Sequence, residues 1–303
     1  MAPKQPLERT DTEQMDEANA NSHGNVFGGD ILRSMDRYAS WTAAAYAEED
    51  VVTASITRMS FEEPVDTDDE LVYETRVDYV GDTSLTVAVD VKVADTGTAT
   101  ASAYLTYVAQ DDDGDTVTVP DLDLDTEDDE DRYEAAEAWK EEAKAHSRGS
   151  LPDPDDWDIE GTVTRMRPRH ADEKDKVFGG AILSVMDEVA SAAAERYAEE
   201  SVVTASLDTM SFEEPVYTDD LLVMDANVDY VGSSSMVVAV DVHAEDAQEA
   251  EIRDTGSAYL TFVAVDDDGP MSVPSLDPDS DEEEERYEAA EAWKEKVLDD
   301  LSD

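Results

Sequence analysis

Val26-Phe27-Gly28-Gly29-Asp30-Ile31-Leu32-Arg33-Ser34-Met35-Asp36 opens a long helical pattern. Ile31, Leu32, Met35, Ala39, Ala43 and Tyr46 fall on one stripe at helical spacing, so a single face is built for burial. Four alternating stretches follow and predict strands over Val51–Phe61, Glu70–Val80, Ser84–Val93 and Thr100–Ala109. Turn residues separate them, at Glu63-Pro64 and Gly81-Asp82, with Asp113-Gly114 after the last. A further short strand is expected before the helix, at about Leu7–Met15. One helix followed by a run of antiparallel strands predicts an α+β unit in which a long sheet wraps around the helix.

The same words return later. Val26-Phe27-Gly28-Gly29 recurs as Val177-Phe178-Gly179-Gly180, and Met59-Ser60-Phe61-Glu62-Glu63-Pro64-Val65 recurs as Met210 through Val216. Between residues 26–91 and 177–242, 43 of 66 positions are identical without a gap. The second copy then gains four residues near Gln248–Glu251, after which Tyr104-Leu105-Thr106 matches Tyr259-Leu260-Thr261. Two copies of one domain follow, expected at 1–148 and 149–303, with a Pro- and Gly-bearing linker over His146–Asp158. The early strand of the second copy is expected at Ile159–Met166. Each copy ends in an acidic stretch (Asp121–Asp131; Asp277–Glu285), then the word Arg-Tyr-Glu-Ala-Ala-Glu-Ala-Trp-Lys-Glu at 132–141 and 286–295. Tyr133, Ala136 and Trp139 at three-residue spacing predict a short amphipathic helix docked on its own domain.

The chain has 303 residues, 79 of them Asp or Glu against 21 Lys or Arg, for a net charge of −58. Because 40% of residues are hydrophobic and arranged in periodic blocks, a core is expected despite the charge. Such acidity argues against nucleic acid or an anionic membrane as partner. No stretch reaches the roughly 20 apolar residues of a membrane helix. Residues Met1 to Arg9 show no apolar signal-peptide core, and the acidic composition predicts a cytoplasmic protein. There is no cysteine, so thiol chemistry, disulfides and cysteine-ligated zinc are excluded. Acid spread along the whole chain, not confined to a tail, is the pattern of a protein from a salt-accumulating halophile, in which concentrated salt screens the self-repulsion.

The order of these words resembles the hot-dog-fold acyl-CoA thioesterases: Asn21-Ser22-His23-Gly24-Asn25-Val26-Phe27-Gly28-Gly29, Met35-Asp36 on the helix, Val51-Val52-Thr53, Ser60-Phe61 with Pro64-Val65, Val80-Gly81 with Ser84, and Tyr104-Leu105-Thr106-Tyr107-Val108-Ala109. The resemblance covers most of both copies and leaves out only the acidic tails and the linker. It implies two tandem hot-dog domains packed as a pseudo-dimer, three such chains associating, and hydrolysis of acyl-CoA thioesters without a cofactor. A hydratase or dehydratase on the same fold ranks lower, because no His recurs between the copies. A non-catalytic acyl-CoA binding module is the remaining alternative.

Asp36 stands out among the acidic residues because it lies on the edge of the apolar stripe, four residues after Leu32 and three before Ala39, while Arg33 and Arg37 face away. Asp187 has the same setting among Leu183, Ala190 and Ala194, with Glu188 turned outward. Burial there raises a carboxyl's proton affinity and makes it a better base. Gly28-Gly29 and Gly179-Gly180 let a substrate approach the backbone, and first-turn N–H groups can polarise a carbonyl oxygen; a tight turn needing glycine is the plainer reading. By the resemblance, Asn21 positions the thioester or the attacking water and works with Asp187, which acts as base or nucleophile. Asn25 is a weaker candidate for the same work. The second copy has Asp172 opposite Asn21 and Lys176 opposite Asn25, so the site around Asp36 is expected to be degenerate. Thr53 and Thr204 are candidates to hydrogen-bond in the sites, though as plain strand threonines they need no function. The resemblance also leads one to expect a basic residue after Val-Gly for the coenzyme A phosphates, yet Asp82 and Ser233 stand there. Arg58, Arg76, Arg165, Arg167 and Arg169 remain as unspecific candidates. The four histidines show no metal-ligand spacing, so no metal is expected.

Overall fold

The computed structural model describes residues 3–20, 24–145, 157–172, 174–207, 209–266 and 269–300. By internal contacts the chain divides into two units. The first is Met1–His146 with Phe178–Leu183 and Thr209–Phe212, and the second is the remainder from Ser147 on. The expected break between 148 and 149, and the linker up to residue 156, lie outside the described residues.

The first unit runs β1 (Glu8–Gln14), α1 (Gly28–Ala47), β2 (Asp50–Phe61), β3 (Glu70–Val80), β4 (Ser84–Val93), β5 (Ala99–Gln110) and α2 (Glu127–Ala145). Its strands form an antiparallel sheet in the order β1-β3-β4-β5-β2. The apolar stripe of α1 is driven onto this sheet: Ile31, Leu32, Met35, Ala39, Ala43 and Tyr46 are all buried. The helix closes on Glu48 in the left-handed region (φ 62°), whose N–H bonds the Ala44 carbonyl.

Alternation along β4 and β5 sends Leu85, Val87, Leu105 and Tyr107 to one face and Thr86, Ala88, Tyr104 and Thr106 to the other. Helix α2 packs against β3, β4 and β5, and Thr86, on the second face, is 1% exposed. Its hydroxyl is satisfied by Thr106 at 2.9 Å, as a buried polar group requires. The amphipathic helix expected over 132–141 is longer than its apolar spacing indicates. In α2 the acidic residues Glu127, Asp128, Asp129 and Glu130 form its first turn, where negative charge meets the positive end of the helix dipole.

The second unit repeats the plan with β6 (Ile159–Arg165), α3 (Gly179–Ala198), β7 (Val202–Leu207), β8 (Met210–Ser211), β9 (Leu221–Val231), β10 (Ser235–Glu245), β11 (Ile252–Asp266), β12 (Gly269–Pro270) and α4 (Asp281–Asp300). The opening residues of α3 and the short β8 belong to the first unit, where β8 pairs with β2. The sheet order is β7-β11-β10-β9-β6, with β12 against β11. The four added residues sit in the β10–β11 turn, closed by Asp246 N–H to the Glu251 carbonyl. Ala290 and Trp293 of α4 pack on Val237, Ala239 and Tyr259 of the sheet.

Candidate active site

In the first unit, Asp36 lies in the third turn of α1 and is 0% exposed. Three donors converge on its carboxylate. Thr53 Oγ1 donates to Oδ1 at 2.9 Å, Tyr107 Oη donates to Oδ1 at 2.9 Å, and the Gly180 N–H donates to Oδ2 at 2.8 Å. Burial outweighs these bonds and raises the Asp36 proton affinity, while the three donors pull it down. Burial, with the Asp36 charge beside it, holds the Tyr107 phenol well above its ordinary value, so Tyr107 is a donor at any working pH.

Local backbone geometry aims Thr53. On β2, Thr53 pairs with Tyr107 and Ser55 with Thr106, which leaves Ala54 as an extra residue and turns the strand at this point. The second unit repeats the irregularity: on β7, Thr204 pairs with Phe262 and Ser206 with Thr261. There Thr204 Oγ1 donates to Asp187 Oδ1 at 2.8 Å, and Asp187 is likewise 0% exposed. Both threonines therefore hold the carboxylate of their own helix.

The glycines have distinct roles. A Cβ on Gly180 would stand 2.7 Å from Asp36 Cβ and 2.9 Å from Arg33 Cα, so the site closes only around a glycine. A Cβ on Gly179 would meet Thr53 at 2.9 Å and Phe212 at 3.1 Å. Because the Gly180 N–H is spent on Asp36, it is not a donor for a substrate carbonyl. Gly28 and Gly29 form the start of α1, where Phe27 supplies no side-chain cap.

Asn21 lies outside the described residues. Asn25 is half-buried and bridges to Asp66. Asp172 caps its own loop, its Oδ1 accepting the N–H groups of Lys174 (2.8 Å) and Lys176 (2.9 Å). Of the cation candidates, Arg76 is paired with Asp78, Arg58 lies 4.8 Å from the centre of the Trp139 ring, and Arg165 donates to the Asp219 carbonyl.

Two features escape sequence reasoning. The C-terminal helices deliver a lysine to the Val-Gly turn of each unit. Lys140 Nζ donates to Ser84 Oγ at 2.8 Å over the Tyr79 ring, and Lys294 Nζ donates to Ser235 Oγ over the Tyr230 ring. Recurrence of the Trp-Lys pair in both copies is the signal that could have pointed to it. The second is the ring opposite the site threonine, Tyr107 in one unit and Phe262 in the other, a single difference inside an otherwise matching word.

The helix-and-sheet unit, present twice, agrees with the comparisons to known proteins. The profile of the Thioesterase superfamily matches residues 23–100 and 175–251, just over half of the chain. VdlD of Helicobacter pylori is 36% identical over 128 residues, covering 42% of this chain and 74% of that protein. An uncharacterized acyl-CoA thioester hydrolase of Bacillus subtilis, YkhA, is 36% identical over 122 residues, covering 40% of this chain and 71% of its own. In fold alone, the crystal structure of a putative oleoyl thioesterase from Lactobacillus plantarum matches with a TM-score of 0.60, over 86% of this chain and 98% of that one, at 9% identity. Two profile matches and relatives spanned over most of their length make this chain a member of the thioesterase superfamily.

Proposed function

We propose that this protein hydrolyses acyl-CoA thioesters to a free carboxylic acid and coenzyme A. The observation that carries the reading is the twice-built carboxylate of Asp36 and Asp187, fully buried on a helix and held by Thr53 or Thr204. Such a group is short of hydration and takes a proton readily from a water placed beside it. In the reaction the carboxylate accepts the proton as water oxygen bonds to the thioester carbon, and a backbone N–H in the first turn of a helix stabilises the oxyanion. The C–S bond then breaks and the coenzyme A thiolate recovers the proton. The relative named as an acyl-CoA thioester hydrolase supports the substrate class.

Of the two carboxylates, Asp187 is the working group. The resemblance assigns Asn21 to Asp187 and Asp172 to Asp36, and an ionised Asp172 accepts hydrogen bonds but donates none. That carboxylate is moreover engaged with the N–H groups of its own loop. The −58 charge supports a halophilic, cytoplasmic setting, and the resemblance supports a role in acyl-lipid metabolism and a trimer of chains. Appearance of free thiol from acyl-CoA in concentrated KCl tests the activity. Wild-type turnover that disappears in the Asp36→Asn, Asp187→Asn double variant is the expected result. A double variant as active as the wild type would place the chemistry elsewhere.

A further inference from the structure

Asp36 and Asp187 occupy equivalent turns of equivalent helices, and Thr53 and Thr204 hold them at 2.9 and 2.8 Å. The residue facing each threonine across the sheet differs. Tyr107 pairs with Thr53 and Phe262 with Thr204, both 0% exposed. Tyr107 Oη stands 2.9 Å from Asp36 Oδ1 and 3.0 Å from the Asp36 carbonyl oxygen, so one hydroxyl ties the side chain to its own backbone. A phenyl ring cannot do this.

We propose that Tyr107 is a positioning residue, whose hydroxyl holds the Asp36 carboxylate in a single orientation and weakens it as a base, whereas Phe262 brings no such hydroxyl to Asp187. The argument rests on the reading of Asp36 and Asp187 as the reacting carboxylates. A donor on Oδ1 stabilises the charged form and ties up a lone pair that would otherwise receive the proton. The groups acting on Asp36 are Tyr107 of β5, Thr53 of β2 and the Gly180 N–H at the start of α3. No charged side chain is among them in the described residues. The two repeats thus differ by one hydroxyl beside the carboxylate, and that difference is exchangeable.

The exchange is the experiment. In the Asp36→Asn background, where Asp187 alone carries turnover, Phe262→Tyr introduces the hydroxyl. The acid limb of the kcat profile should move to lower pH by about one unit and kcat should fall about tenfold, the effect of one hydrogen bond to a charged group, with KM unchanged. A second readout needs no turnover. In protein labelled at the aspartate carboxyl carbon, the Asp36 resonance is identified by its loss in Asp36→Asn. In Tyr107→Phe its titration midpoint should rise by about one unit. An acid limb that stays in place in folded Phe262→Tyr, or an Asp36 midpoint unmoved in Tyr107→Phe, overturns the proposal. If the Asp36→Asn, Asp187→Asn protein keeps full activity, the catalytic reading fails, and the labelled carboxyl still decides the role of Tyr107.

Discussion

Thr204 Oγ1 stands 2.8 Å from Asp187 Oδ1, seventeen residues along the chain and across from helix to strand. A hydroxyl donor at that distance orients the carboxylate. Thr204→Val keeps the shape of the side chain and removes only the donor. We expect kcat to fall by about 10- to 100-fold, because losing the donor that orients the carboxylate from its own strand outweighs the gain in base strength, with KM little changed. The acid limb of the rate profile should shift to higher pH, since the charged form loses a stabilising partner. Steady-state kinetics across pH read both. A fall in kcat/KM caused by KM alone would make Thr204 a substrate contact rather than a support for Asp187.

Gly180 is held to glycine by backbone, not by loop flexibility. A Cβ there would press on Asp36 Cβ at 2.7 Å and on Arg33 Cα and carbonyl at 2.9 and 3.1 Å, atoms that belong to a packed helix and cannot swing away. Gly180→Ala should cost about 1–3 kcal/mol, as overpacking does, and lower the melting temperature by several degrees. Thermal unfolding in high salt measures it. Full stability in Gly180→Ala would mean that the helices separate at no cost and that the Asp36–Gly180 bond is dispensable.

Much of this was legible in the residues because burial drives it. The stripe from Ile31 to Tyr46 has only one way to hide its apolar surface, and β3 and β4 start and stop at the predicted residues because turns at Pro64 and Gly81 bound them. What escaped depends on long-range partners. The first turns of α2 and α4 are acidic runs without apolar spacing and become helical through the dipole and the docked Trp-Lys face that follows. The donors on Asp36 come from residues 53, 107 and 180, and no local pattern links them. Ala54 reads as an ordinary strand residue, yet as the extra residue of a bulge it sets the aim of Thr53.

Folding should depend on salt. With 79 acidic residues against 21 basic ones, like charges repel over the whole surface, and screening shortens that repulsion to about 3 Å at 1 M ionic strength. Circular dichroism should show the native spectrum at about 3 M KCl and its loss near 0.05 M, where the screening length is more than fourfold longer. An unchanged spectrum in dilute buffer would refute the halophilic reading.

Asp229 gives a separate dependence on acid. It is 2% exposed, accepts from Asn227 Nδ2 at 2.7 Å and from Arg286 Nε at 3.3 Å on Oδ1, and its Oδ2 is buried without a partner among the described residues. Burial pushes its pKa up to about 6 from an ordinary 3.8. The folded state therefore prefers the protonated acid. This group's contribution to stability is complete below about pH 4 and is lost as pH rises through 6. Asn has no such titration. Between pH 7 and pH 5, the stability of the wild type relative to Asp229→Asn should increase by roughly 1–1.5 kcal/mol. Denaturant midpoints at the two pH values, in the same KCl, measure the difference. A gap that does not change with pH would mean that Asp229 is ionised throughout.

The two carboxylates should be unequal in turnover. Asp36 is tied by three donors, including the Tyr107 hydroxyl, and the sequence ahead of α3 has Asp172 where that ahead of α1 has Asn21. Asp187 meets a phenylalanine where Asp36 meets the tyrosine. Asp187→Asn should lose nearly all turnover, by about two to four orders of magnitude if the carboxylate is the base. Asp36→Asn should retain most of it, because the amide keeps the shape of the group and can accept from Thr53 or Tyr107 through its carbonyl oxygen. Both variants are assayed on the same acyl-CoA in high salt, with melting temperatures recorded to separate lost chemistry from lost folding. Equal losses at equal stability would mean that both carboxylates turn over substrate, and the assignment of Asp187 as the working group would be wrong.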